Sequence, residues 1–203
     1  MPVRAERFHQ VLLIISTILF SWFAMQVVHE LGHVVGAWCS GGTVARVILH
    51  PWAFSRTDLS DNPHPLLVAW FGPVVGSVLP LILFAAARAL RLPGWYILRF
   101  FAGFCLIANG AYLGAGSFEG AGDAGDLLRL GTPRWILWVF GVLTASAGLW
   151  LWHRLGRYFG LGPAPCRIHP GAAWGMAALL AGLVAVECLA AWSRVPDPAR
   201  AGG

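Results

Sequence analysis

The sequence predicts an all-α polytopic membrane protein with about five transmembrane helices and a small interfacial hairpin between the first and the second. Of its 203 residues, 58% are hydrophobic and only 11% are charged, whereas soluble domains carry about a quarter charged residues. The mean hydropathy is +0.68. Five segments also contain the roughly 20 mostly apolar residues that are needed to cross a bilayer.

The predicted spans lie within a single membrane domain, 1–203. Tryptophans near several span ends are typical of an aromatic belt at a membrane interface. No small-x-small cleavage pattern follows the first apolar stretch, so we interpret it as a retained span and not as a signal peptide. The tail Pro196–Gly203 is predicted to be disordered. The five spans cover residues 8–39, 65–87, 95–113, 135–153 and 172–192.

Two connections between the spans carry structural signals. Residues 40–64 open with two glycines and continue through β-branched residues to Pro51-Trp52, which predicts a short hairpin at the interface. Residues 114–134 place Asp123 and Asp126 among glycines. Either aspartate would suit the first turn of a short helix, where the helix dipole favours an anion.

The most informative motif is His29-Glu30-Leu31-Gly32-His33, an H-E-x-x-H sequence inside the first span. Charged groups are costly at membrane depth and usually face a partner or a wet cavity. Residues four apart share one face of a helix, so both imidazoles can reach one metal ion. Glu30 can then polarise a metal-bound water instead of ligating the metal. The motif therefore predicts a site for one zinc ion.

Catalytic zinc requires a third protein ligand and an open position, and three carboxylates are candidates: Asp123, Asp126 and Glu187. If the first span crosses from side A to side B, the H-E-x-x-H motif lies toward side B. The third span also ends on side B, so the loop with both aspartates emerges on that face. Glu187, in the fifth span, lies toward the same side. Its alternative role is pairing with Arg194 or capping a polar cavity.

Several function classes are disfavoured by composition. All 14 basic residues are arginines without a basic run, so the net charge of +5 does not indicate nucleic-acid binding. The four cysteines lack a C-x-x-C pair and indicate neither a disulfide framework nor a thiolate zinc site. The absence of an internal repeat counts against a transporter, since many transporters are built from repeats.

The motifs together resemble the site-2 protease family of intramembrane zinc metalloproteases. Besides H-E-x-x-H, the Gly72–Gly76 segment is similar to the Gly-Pro segment of that family, and residues 41–64 resemble its membrane-associated hairpin. The third ligand of the family is the aspartate of an Asp-Gly motif. Residues 123–127 match this only in part. Ala124 replaces the usual glycine, and the prolines and the near-upstream asparagine of the family are absent, with Asn109 lying fourteen residues earlier. In the family a helix with a leucine closely follows this aspartate, and that spacing favours Asp123 over Asp126. Glu187 comes third: it would resemble membrane zinc peptidases that use glutamate, but its surroundings, residues 186–190, lack a following aspartate.

This resemblance implies a zinc metalloendopeptidase that hydrolyses peptide bonds of membrane-embedded or membrane-adjacent substrates. His29, His33 and Asp123 would hold Zn2+, and Glu30 would act as the catalytic base. The expected partners are membrane lipid and a transmembrane protein substrate, with no nucleic acid, in a prokaryotic cell membrane. No pattern assigns a substrate-binding residue or an oligomeric state. The alternatives are a non-proteolytic scaffold or regulator with a structural zinc site and, less favoured, a transporter.

Overall fold

The computed structural model describes residues 2–50, 55–162 and 166–192, with side chains described for residues 5–50, 55–162 and 166–190. Pro51-Trp52, Arg194 and the tail 196–203 lie outside the described residues. Five of the helices are long and apolar enough to cross a membrane, which confirms the predicted all-α, multi-pass architecture. The elements are α1 (Pro2–Cys39), β1 (Thr43–Ile48), β2 (Arg56–Asp61), α2 (Pro65–Ala89), α3 (Trp95–Glu119), α4 (Gly122–Arg129), α5 (Arg134–Trp152), a 3-10 helix (Leu155–Phe159) and α6 (Pro170–Trp192).

The structure differs from the predicted spans at the start of α1, which begins at Pro2 and not at residue 8, and at the end of α3. The prediction ended this span at residue 113, where the apolar run becomes rich in glycine, but the helix continues to Glu119. It ends at Gly120, whose left-handed backbone (φ +65°) lets its N–H bond to the carbonyl of Gly116. Glycine favours this conformation because it has no Cβ. The extension carries the chain directly to α4.

Helix α1, which carries the H-E-x-x-H motif, packs against three other α-helices. It contacts α2, α6 and α3, while α3 packs against α2 and α5. The contact with α2 is close: a Cβ at Gly36 would lie 2.7 Å from Cβ of Phe71, and one at Gly32 would lie 2.8 Å from Cα of Gly72. The G-x-x-x-G spacing of Gly32 and Gly36 therefore serves helix packing.

The predicted hairpin is present as an antiparallel pair, β1 and β2, between α1 and α2. Val47 lies opposite Thr57, and the pairing is irregular between Thr43 and Arg46. On the exposed surface, Nε of Arg46 donates to Oδ2 of Asp58 at 2.5 Å. Both strands also contact α1, so the hairpin lies next to the helix that carries H-E-x-x-H.

Candidate metal centre

Three predicted ligands meet in the structure. Nε2 of His29 and Nε2 of His33 lie 3.2 Å apart, and Oδ2 of Asp123 lies 2.8 Å from the former and 3.3 Å from the latter. Both histidines are buried and Asp123 is partly buried. Within the described part of the chain, these side chains form a group whose ligand atoms could hold a metal ion.

The backbone around α4 explains why Asp123 reaches the histidines. The aspartate lies in the first turn of this eight-residue helix, immediately after the turn at Gly120. Leu127, one turn further, is fully buried and packs in a cluster with Leu113 of α3 and Leu137 of α5. Burying this leucine against α3 and α5 fixes the rotation of α4 about its axis. That rotation sets the direction in which the Asp123 side chain leaves the helix.

Hydrogen bonds on the far side of each imidazole set the proton positions. Nδ2 of Asn109 donates to the carbonyl of Cys105 at 2.9 Å, so the Asn109 atom that lies 2.8 Å from Nδ1 of His29 is the oxygen Oδ1. Nδ1 of His29 must therefore donate. Nδ1 of His33 likewise donates to the carbonyl of Val68 at 2.9 Å. In the neutral imidazoles both Nε2 atoms then carry lone pairs, as metal ligands require.

This donor set fits a zinc ion. Two lone-pair nitrogens and a carboxylate oxygen converge, and such atoms repel one another unless a cation or an added proton lies between them. Zn–N distances of about 2.0–2.1 Å at tetrahedral angles put two ligand nitrogens about 3.3 Å apart. The observed separation of 3.2 Å between the Nε2 atoms of His29 and His33 is close to that value.

Asp123 is in the ionised form that a metal ligand needs. Without a metal, a proton added at Nε2 lets the imidazoles of His29 and His33 donate to the Asp123 carboxylate. Burial by itself would raise the pKa of this carboxyl group, but these hydrogen bonds outweigh the effect and the pKa lies well below its usual range. Because the charged form is favoured, the carboxylate is negative at neutral pH.

Two glycines of α2 leave the space in which the ligands meet. A Cβ at Gly72 would collide with Nε2 of His33 and would lie 3.0 Å from Nε2 of His29. A Cβ at Gly76 would lie 2.9 Å from Nδ2 of Asn109. Any larger residue at position 72 would therefore place atoms at the ligand nitrogens. Gly72 therefore leaves space for the histidine nitrogens, and Gly76 leaves space for Asn109.

Glu30 is held by the hairpin. Its side chain is buried, with the residue only 3% exposed, and its Oε2 accepts a hydrogen bond of 2.7 Å from Oγ1 of Thr57 on β2. One turn before it on α1, Oε1 of Gln26 accepts a bond of 3.2 Å from the backbone N–H of Ser55. These two bonds attach the second half of the hairpin to the polar face of α1.

The other two candidate carboxylates lie elsewhere. Asp126 forms an ion pair with Arg129 at the exposed surface of α4. Glu187 is buried on α6. Neither belongs to the group formed by His29, His33 and Asp123.

Three residues that contact this centre were assigned no role from the sequence: Asn109, Tyr112 and Thr57. A single asparagine in an apolar span is a usable signal, because an amide at membrane depth needs a partner. The positions of Tyr112 and Thr57 depend on how α3 and the hairpin dock against α1. No motif indicates that docking.

Comparisons with protein-family models, with curated proteins and with solved structures gave no match.

Proposed function

We propose that this chain is an intramembrane zinc metalloprotease. The observation that carries the proposal is the convergence of His29, His33 and Asp123, with Glu30 beside them on α1. Two histidines and a carboxylate form the donor set of a hydrolytic zinc site, and an adjacent glutamate that does not ligate the metal can act as its base. The resemblance of the H-E-x-x-H and Gly-Pro segments to the site-2 protease family points to the same reaction.

In this proposal the three ligands hold one zinc ion. Bound zinc supplies a Lewis acid that lowers the pKa of a coordinated water to about 7. Hydrogen bonds to Asn109 and Val68 keep both Nδ1 atoms protonated, so both Nε2 atoms would be free to hold the ion. Such outer partners orient metal ligands and increase their basicity.

Glu30 is the proposed general base. Thr57 donates to Oε2 of its carboxylate, which leaves Oε1 to take a proton from the water as the water oxygen bonds to the scissile carbonyl carbon. As the scissile C–N bond breaks, Glu30 returns this proton to the leaving amine nitrogen. Thr57 would restrain the rotation of the carboxylate throughout.

The proposed substrate is a transmembrane or membrane-adjacent polypeptide. A helical substrate must unwind before cleavage, because its carbonyls are hydrogen-bonded within the helix. The two-stranded sheet of β1 and β2 has outer edges on which an extended segment could pair as an added strand. Because Thr57 of β2 contacts Glu30, a segment paired there would lie near the base. The location of the protein in a prokaryotic cell membrane is a separate prediction.

The test uses purified full-length protein with a fluorescently labelled transmembrane peptide in proteoliposomes. We expect Glu30→Gln to abolish cleavage while zinc stoichiometry stays at the wild-type value. Glu119→Gln is the matched control, because Glu119 is an exposed carboxylate at the end of α3. Full activity of Glu30→Gln would contradict the proposed mechanism. A wild-type protein that binds zinc without cleaving the peptide would instead support the scaffold alternative.

A further inference from the structure

Tyr112 of α3 contacts the backbone of the third ligand. Its hydroxyl oxygen accepts a hydrogen bond of 3.2 Å from the N–H of Asp123. The first N–H groups of any helix lack partners within the helix, and the residue at the N-cap usually provides one. In α4 the N-cap is Ala121, which has no side-chain acceptor. Tyr112 therefore provides, from a different helix, the oxygen that a capping side chain would provide.

The ring of Tyr112 also contacts a second ligand. It meets the imidazole of His29 edge-on, with ring centroids 5.8 Å apart and planes at 79°. Such T-shaped contacts are favourable and restrict rotation of the imidazole about its Cβ–Cγ bond. Asn109 fixes Nδ1 of the same ring, so two side chains of α3 orient His29.

Gly122 leaves room for the Tyr112 hydroxyl next to the backbone of α4. This residue has a left-handed backbone (φ +56°), and a Cβ there would collide with the hydroxyl of Tyr112 and lie 2.9 Å from its Cζ. Glycine accepts both the conformation and the close approach.

We infer that Tyr112 is a positioning residue that aligns Asp123 and His29 for zinc binding. The inference rests on the proposed zinc site and adds a residue that contacts two of its ligands. The hydroxyl fixes the backbone at Asp123, and the ring fixes the plane of His29. Losing the hydroxyl should leave the three ligands present and lower their affinity for zinc.

The test compares Tyr112→Phe with Tyr96→Phe by titrating Zn2+ against a competing chelator, so no proteolysis is needed. Tyr96 lies on the same helix, away from the centre, and stacks on Tyr158, so its variant loses the same atom elsewhere. We expect Tyr112→Phe to bind zinc about tenfold more weakly, at the lower end of the effect typical of outer-shell partners. Tyr96→Phe should match the wild type.

Repeating the substitution in an Asp123→Ala background tests whether the hydroxyl acts through the aspartate. With the carboxylate removed, Tyr112→Phe should no longer change the residual zinc affinity. A wild-type affinity for Tyr112→Phe, or an equal loss in both backgrounds, would overturn the inference and leave the proposed protease standing. A wild-type protein without zinc affinity would overturn both. Melting temperatures of the metal-free variants show whether each one is folded.

Discussion

Asn109 donates through Nδ2 to the carbonyl of Cys105 and accepts through Oδ1 from Nδ1 of His29, at 2.9 and 2.8 Å. The amide is therefore fixed in one orientation within α3, and it fixes one tautomer of a histidine on α1. Asn109 is only 1% exposed, so water cannot easily replace either bond. A buried amide in an apolar helix is costly unless it is paired, and here the pairing prepares a candidate metal ligand.

Replacing Asn109 should therefore weaken metal binding without removing a ligand. We expect Asn109→Leu, which keeps a similar volume, to reduce zinc affinity about 10- to 100-fold. Asn62→Leu is the matched control, since Asn62 lies just beyond β2 and outside the candidate centre. Zinc titration of both variants checks this, and equal affinities would show that the hydrogen bond to His29 has no influence.

Gly72 should tolerate no side chain. A methyl group there would collide with Nε2 of His33, and overpacking of this kind costs about 1–3 kcal/mol. Gly72→Ala should therefore lower zinc affinity at least about tenfold, since the collision falls on a ligand atom. Gly175→Ala on α6 is the control, because a Cβ at Gly175 meets no atom within 4 Å among the described residues. Unchanged zinc binding by Gly72→Ala would contradict the observed packing of α2 against the histidines.

Thr57 should affect turnover and not metal content. Thr57→Val keeps the shape of the side chain but removes the hydrogen bond to Oε2 of Glu30. Bonds to charged groups contribute about 1.5–3 kcal/mol, so we expect kcat to fall at least about tenfold with one zinc still bound. Thr43→Val, on the exposed start of β1, should behave as the wild type. A wild-type kcat in Thr57→Val would show that the hydrogen bond from the hairpin to Glu30 does not contribute to catalysis.

Much of this architecture is predictable because membrane helices carry a strong local signal. The predictions rest on five apolar segments, two glycines before a β-branched stretch, and an aspartate at the start of a short helix. Each of these predictions uses only residues that are close in sequence. The face on which Asp123 emerges follows from the number of crossings alone. The five apolar helices, the hairpin and the short helix with Asp123 are present in the structure.

The partners of the ligands could not be predicted in the same way. Asn109 and His29 are 80 residues apart, and their contact depends on how α3 is rotated about its axis. A helix that is apolar on all sides has no hydrophobic stripe to specify that rotation. The choice between Asp123 and Asp126 likewise depends on the burial of Leu127, which is a tertiary contact.

Zinc stoichiometry tests the central claim most directly. Metal analysis of the purified wild type should find one zinc per chain, with the same value for Asp126→Ala and Glu187→Ala. Asp123→Ala should lose the zinc after dialysis against a weak chelator, because only His29 and His33 remain as ligands. A wild type without zinc, or an Asp123→Ala variant that retains it as the wild type does, would contradict the proposed metal centre.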